Sequence, residues 1–183
     1  MIIRHSVRSL LLPITLLAVL LFASALSAAG LDRFAGSYSG KAEIVVEGES
    51  VERDLSTTIT PKDDGFVLSW TSVSYKSDGR TKESTYTIEF VPSARDNIYR
   101  SAMKTNLFGK AVPLDPLAGD PFVWARLEGG TFSVFSLFIN EIGDYEIQEF
   151  HRTLVEQGLN LLFRRVHNGV PQREIRALLT RVE

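Results

Sequence analysis

Glu149 and His151 stand two residues apart in a segment of alternating polarity, a spacing that puts both side chains on one face of a β-strand. A carboxylate beside an imidazole can bind a metal or relay a proton. Beyond residue 29 the one other histidine is His167, and a catalytic zinc site as a rule takes three protein ligands. The pair therefore reads first as a solvated or internally satisfied pair, and no metal is assigned to it. The chain has no cysteine, which excludes a thiol nucleophile, thiolate metal sites and a disulfide framework. Gly-x-Ser-x-Gly is missing, and no glycine-rich phosphate loop opens a helix. No catalytic residue and no cofactor are assigned. Arg164-Arg165, with Arg152 nearby, read as a wet strand face rather than an anion site.

The other chemistry on offer is aromatic. Trp70, Tyr86, Trp124, Phe132 and Phe138 fall at strand positions that can face inward. They could wall a pocket for an apolar or amphipathic molecule, or they could simply pack a core. Phe135, Leu137 and Ile139 make the opposite face of the same segment apolar as well, so that strand is either covered on both sides or presents a docking surface.

Positioning these residues is the task of a chain whose dominant period is two. Tyr38, Gly40, Ala42, Ile44 and Val46 alternate with polar residues from Gly36 to Glu47, and Val51 to Thr60 repeats the pattern. Pro61-Lys-Asp-Asp-Gly65 supplies a turn, and Phe66, Leu68 and Trp70 share the next face. Val73 and Tyr75 then fall on the opposite parity, which predicts a bulge near Thr71. Tyr86, Ile88 and Phe90 mark a fourth strand, and Ile98 to Met103 a fifth. Thr105 to Pro121 has three prolines, two glycines and no period; it reads as the one long loop. Gly129-Gly130, Gly143-Asp144, Gln157-Gly158 and Asn168-Gly169 punctuate further hairpins. Residues 170–183 fit either a helix or a strand. The strand is preferred because it would pair with the first one and remove an exposed edge. The expectation is all-β: an antiparallel up-and-down barrel of about ten strands over residues 30–183.

Residues 1–29 read as a cleaved signal segment. Arg4, His5 and Arg8 precede an apolar run from Leu10 to Phe22, followed by Ala23-Ser-Ala-Leu-Ser-Ala-Ala29 with small residues where signal peptidase needs them. An uncleaved anchor is the competing reading, against which stand Pro13 and the Ala/Ser-rich far end. Removing two arginines with no acid takes the net charge from −2 to −4, which argues against nucleic acid as a partner. An exported chain without cysteine suits a bacterial periplasm or secretion.

The opening Gly36-Ser-Tyr38-Ser-Gly40-Lys-Ala42 resembles the first strand of lipocalin-like (calycin) barrels, which often begin Gly-x-Trp; here Tyr38 stands in the place of Trp. Small residues at Gly36 and Gly40 permit the bend that closure demands, while the aromatic plugs the closed end. The resemblance implies a small cup carrying an apolar or amphipathic molecule, with a late basic residue, Arg176 or Arg181, set across the aromatic. Some lipocalin-like barrels hold haem through one histidine, so the resemblance also implies His151 or His167 as a haem ligand to consider, for which the sequence has no motif. The function expected is thus a periplasmic lipocalin-like binding protein; the alternative is an interaction module of the cell envelope with a protein partner and no small ligand. No membrane span is expected in the mature chain. Protein recovered from outside the cytosol should begin at Ala28 or Gly30 by intact mass; a mass that retains Leu10 to Phe22 would refute cleavage.

Overall fold

The computed structural model describes residues 30–182 apart from 47–48, 77–78 and 106–109; of Val46, Glu49, Thr105 and Ala111 it describes the backbone only. The leader expected over 1–29 lies outside these residues. The strands are β1 (Gly36–Val46), β2 (Glu49–Lys62), β3 (Gly65–Tyr75), β4 (Thr81–Pro92), β5 (Ile98–Ser101), β6 (Lys104–Thr105), β7 (Ala111–Val112), β8 (Phe122–Glu128), β9 (Thr131–Ile139), β10 (Tyr145–Val155), β11 (Gly158–His167) and β12 (Val170–Val182). Ten of them close into one antiparallel barrel in the order β1-β12-β11-β10-β9-β8-β5-β4-β3-β2. This is the up-and-down barrel that the period of two predicts, and residues 170–182 are the strand that shuts it.

Closure rests on three paired positions, Ser37 with Val182, Tyr38 with Arg181 and Ser39 with Thr180. The strands meet closely enough there that a Cβ on Gly40 would overlap the carbonyl oxygen of Leu178. Glycine at that position lets the two backbones approach.

The turns assign the ends of the barrel. One end gathers the β2–β3, β8–β9 and β10–β11 turns and the chain ends of the sheet. A helical turn at 30–32 crosses it and pushes Leu31 and Phe34 inside. Phe34, Phe66, Phe90, Tyr99 and Phe132 meet there with ring centroids between 4.8 and 5.9 Å apart. Ile59, Leu68, Val134, Leu159 and Leu179 complete a fully buried plug. The β9–β10 and β11–β12 turns lie at the opposite end, which forms the mouth.

Two departures from the sequence reading have physical causes. No register shift occurs at Thr71, because the β2–β3 and β3–β4 ladders run unbroken from Arg53 to Lys62 and from Phe66 to Tyr75. Val73 and Tyr75 simply face outward, where the Tyr75 hydroxyl donates to Asp54 at 2.5 Å, while Ser72 and Ser74 face in. The polarity of the strand inverts as it leaves the plug, and that inversion mimics a bulge. Among the described residues a register shift falls instead in the β11–β12 ladder, between Arg165 and Val166. The segment read as a long loop does contain a small ribbon, β6 with β7, and a 3-10 turn at Pro116–Ala118 capped by the Asp115 carboxylate on the Leu117 N–H.

Because β5 has four residues, it ties β4 to β8 only near the plug, through Pro92 with Tyr99 and Tyr99 with Ala125. In the mouth half the barrel ladder of β4 runs, among the described residues, to β3 alone. Tyr86, on the inner parity of β4, is consequently 55% exposed. Gly40→Ala is expected to lower the unfolding free energy by about 2–3 kcal/mol through backbone overlap. Gly79→Ala, in open space at φ 81°, should lose about 1 kcal/mol from the left-handed backbone alone. Urea unfolding of both variants checks this; equal losses would contradict close approach at the seam.

Candidate ligand-binding cavity

Ten strands enclose more volume than side chains readily fill, and above the plug the barrel holds a cavity of about 240 Å³. Its walls come from two facing arcs of sheet, β2–β3–β4 and β10–β11–β12. On the first arc Trp70 stacks on Tyr86 (centroids 5.2 Å, planes 22° apart), with Leu55 beside them. On the second, Phe150 packs against Phe163 (4.8 Å) and across the lumen against Trp70 (5.5 Å), with Leu161 and Ile175 adjoining. Polar groups are set among these rings: Thr57, Ser72, Ser74, Ser84 and Gln148. A small, mostly apolar hollow with a few polar groups is the common form of a small-molecule site.

The cations are the unusual part. Arg152 is 1% exposed, the largest fully buried side chain among the described residues. Among the described residues its Nε and Nη1 have no hydrogen-bond partner and no carboxylate pairs with it. Its guanidinium sits 5.7 Å from the centroid of Phe150. Burial pushes its pKa down to about 10, so it remains a cation at neutral pH. Arg53 also has a buried Nε without a partner among the described residues, and burial, helped by repulsion from Arg173, lowers its pKa. Lys82 lines the same space. At the mouth, Arg165 is balanced by Glu146 at 2.5 Å. Burial opposes ionisation of Glu146, but hydrogen bonds from Gln148 and Arg165 hold its pKa below the usual range.

At the plug end, Tyr38 and Arg181 are in contact. The Arg181 guanidinium lies 4.8 Å from the centroid of the Tyr38 ring. Its Nη2 donates to the Tyr38 hydroxyl at 2.7 Å and its Nη1 to the Ala35 carbonyl at 2.7 Å. The Tyr38 hydroxyl in turn donates to the Phe34 carbonyl at 2.9 Å. Burial raises the Tyr38 pKa against the pull of Arg181. Of the two arginines considered, Arg181 takes the position across the aromatic; Arg176 points outward and pairs with Glu174.

The five rings named as pocket candidates separate. Trp70 and Tyr86 line the cavity. Phe132 faces inward but belongs to the plug beneath it. Phe138 shares that inward parity at the far end of β9 and is 39% exposed, outside the lining. Trp124 lies on the outer surface, stacked on Phe135 (5.0 Å) and close to Phe122 (5.7 Å). Its neighbours Val123 and Ala125 take the inward positions of β8, and alternation sends Trp124 out.

Arg152 is not on a wet face. Gln148, Phe150, Arg152 and Leu154 share one face of β10, and Arg152 stands opposite Phe132 and Leu161, both in the core. The flanking Phe150 and Leu154 are the signal in the sequence that this arginine points inward. Arg165 faces the mouth, and only Arg164, paired with Glu174 at 3.1 Å, behaves as read.

Glu149 and His151 do share a face, the outer one. His151 Nε2 stands 3.2 Å from Glu149 and Nδ1 2.8 Å from the Ser133 hydroxyl, with Phe135 edge-on to the ring. A proton on Nε2 satisfies both contacts, the serine then donating to Nδ1. Ser133 is 4% exposed, and β9 is paired on both sides, so neighbouring backbone N–H groups are consumed by the sheet and none converges to hold an oxyanion. The cluster is a satisfied surface network. Among the described residues no group of three or more metal-ligating side chains forms.

Arg152→Met is expected to raise the unfolding free energy of the ligand-free protein by about 1–4 kcal/mol, because an unpaired buried charge is replaced by an apolar chain of similar length. The check is a higher urea midpoint at unchanged slope; a lower midpoint would mean that the guanidinium holds the barrel together. No protein-family model matches the chain, and no curated protein is similar to it in sequence.

Proposed function

We propose that this protein is an exported, lipocalin-like carrier that holds one small amphipathic molecule in the mouth half of its barrel. The observation that carries this reading is the division of the barrel into a solid plug and a hollow walled by Trp70, Tyr86, Phe150 and Phe163. A scaffold has no use for that division, since filling the lumen would add stability. The first-strand pattern of Gly36, Tyr38 and Gly40, closed by Arg181, supports the likeness to lipocalins. The leader pattern supports a periplasmic or secreted address.

A second reading, an interaction module of the cell envelope, draws on the outer stack of Trp124, Phe135 and Phe122. The two readings respond differently to filling the lumen. The uncharged probe N-phenyl-1-naphthylamine should brighten on binding the wild-type protein. Ser72 faces the cavity between Leu55 and Ser84, so Ser72→Phe should abolish that signal while leaving the β-sheet circular dichroism intact. No brightening with the wild type, or undiminished brightening with Ser72→Phe, would remove the cavity as the site and favour the module.

A further inference from the structure

We infer that the molecule carried is an organic acid bound head-inward, its oxyanion against Arg152 at the floor of the cavity and its apolar part against the rings of Trp70, Tyr86, Phe150 and Phe163. The inference rests on the carrier reading and adds the class of ligand and its orientation.

A buried cation without a counter-ion is strongly unfavourable; such groups are paired or they bind charge from solution. Arg152 has two nitrogens unsatisfied among the described residues, and none of the described residues lining the cavity is Asp or Glu. Water could satisfy the N–H groups, but it cannot neutralise the charge. The second unpartnered nitrogen, on Arg53, and the Lys82 ammonium carry the same sign along the wall. In a lumen walled largely by apolar rings their field favours an anion over a neutral or cationic guest.

The register fixes the direction. Along β10, Arg152 stands opposite plug residues Phe132 and Leu161, whereas Gln148 stands opposite Arg165 toward the mouth. The charge therefore lies deepest, and the exposed edge of Tyr86 marks where the rest of the ligand emerges. A volume of about 240 Å³ seats the acid head with a short alkyl chain or one ring, and a larger guest extends past Tyr86 into the open mouth. A large lipid with its head in solvent would reverse both the size and the polarity of this space.

The test is displacement of bound N-phenyl-1-naphthylamine by octanoate, octyl phosphate, octanol and acetate. With the wild type, octanoate or octyl phosphate should displace the probe at about ten- to hundredfold lower concentration than octanol, the magnitude of a charge-assisted hydrogen bond in a buried site. Whichever of the two acids is tighter identifies the head as carboxylate or phosphate. Acetate, a head without a chain, should be at least about tenfold weaker than octanoate, since each buried methylene adds to affinity. In Arg152→Met the probe should still bind and the advantage of the acids over octanol should vanish. Arg152→Gln serves should the Met variant not fold, and the wild-type comparison of acid with alcohol decides without any variant. Equal potency of octanoate and octanol, potency of acetate matching octanoate, or an acid preference that survives loss of Arg152 would each overturn the inference while leaving the carrier reading in place. Failure of the wild type to bind the probe at all would overturn both together.

Discussion

The constraint on which the whole structure depends is closure of a ten-strand sheet at a seam only three residue pairs long. Once β12 lies against β1, every other strand has its neighbours and its inward parity fixed, because the side-chain period is two and a slip of one residue would turn each core face outward. A short seam needs reinforcement. Arg181 lies on the Tyr38 ring and bonds to both its hydroxyl and the Ala35 carbonyl, so the last strand is pinned to the segment that precedes the first. A cation–π contact of this kind contributes about 0.5–2 kcal/mol, increasing with desolvation, a useful addition to a domain whose net stability is about 5–15 kcal/mol.

Closure at this strand number also sets the interior problem. The lumen is too wide for one layer of aliphatic side chains, and the chain meets it with large rings and with a cap brought in from outside the sheet. Leu31 and Phe34 come from the helical turn ahead of β1 and drop onto Phe132 and its neighbours. The cap covers one end only. In the other half the inward positions become Ser72, Ser74, Ser84 and Gln148, and the apolar residues of β3 move to the outside as Val73 and Tyr75. Fold and hollow are consequently two outcomes of one strand pattern, apolar inward up to Trp70 and polar inward beyond it.

That inversion also decides what could be read from the sequence. Regular alternation made ten antiparallel strands legible, and Asn168-Gly169 made the closing hairpin legible despite helical spacing at Ile175, Leu178, Leu179 and Val182. Where the inner face turns polar, alternation still operates but its meaning flips, so Val73 and Tyr75 suggested a bulge in a strand that has none. Trp124 was misplaced for a related reason: a tryptophan in a hairpin suggests the interior, while the small Val123 and Ala125 are what the crowded plug admits. Trp70 and Tyr86 were legible because their apolar parity continues unbroken from Phe66 and Phe90. Arg152 was hidden because charged side chains are almost never fully buried. Only its flanks, Phe150 and Leu154, could have outweighed that expectation.

The position of Arg152 is where fold and site meet. Strand β10 runs from Glu146 at the mouth through Gln148 and Phe150 to Arg152, and ends in the plug with Leu154. The charge stands at the boundary, on the side where the protein is rigidly packed. A guanidinium at the rim would be solvated and would discriminate weakly between guests. One held at the floor faces a low dielectric, where an unpaired donor is most unfavourable and a paired one most selective. Rigidity supplied by the ring cluster of Phe34, Phe66 and Phe132 keeps the surrounding strands from collapsing onto the guanidinium or letting it swing out to solvent. The barrel is thereby less stable than an apolar side chain at residue 152 would make it, and the plug, the seam and the Tyr38–Arg181 contact supply the stability that such a buried charge requires.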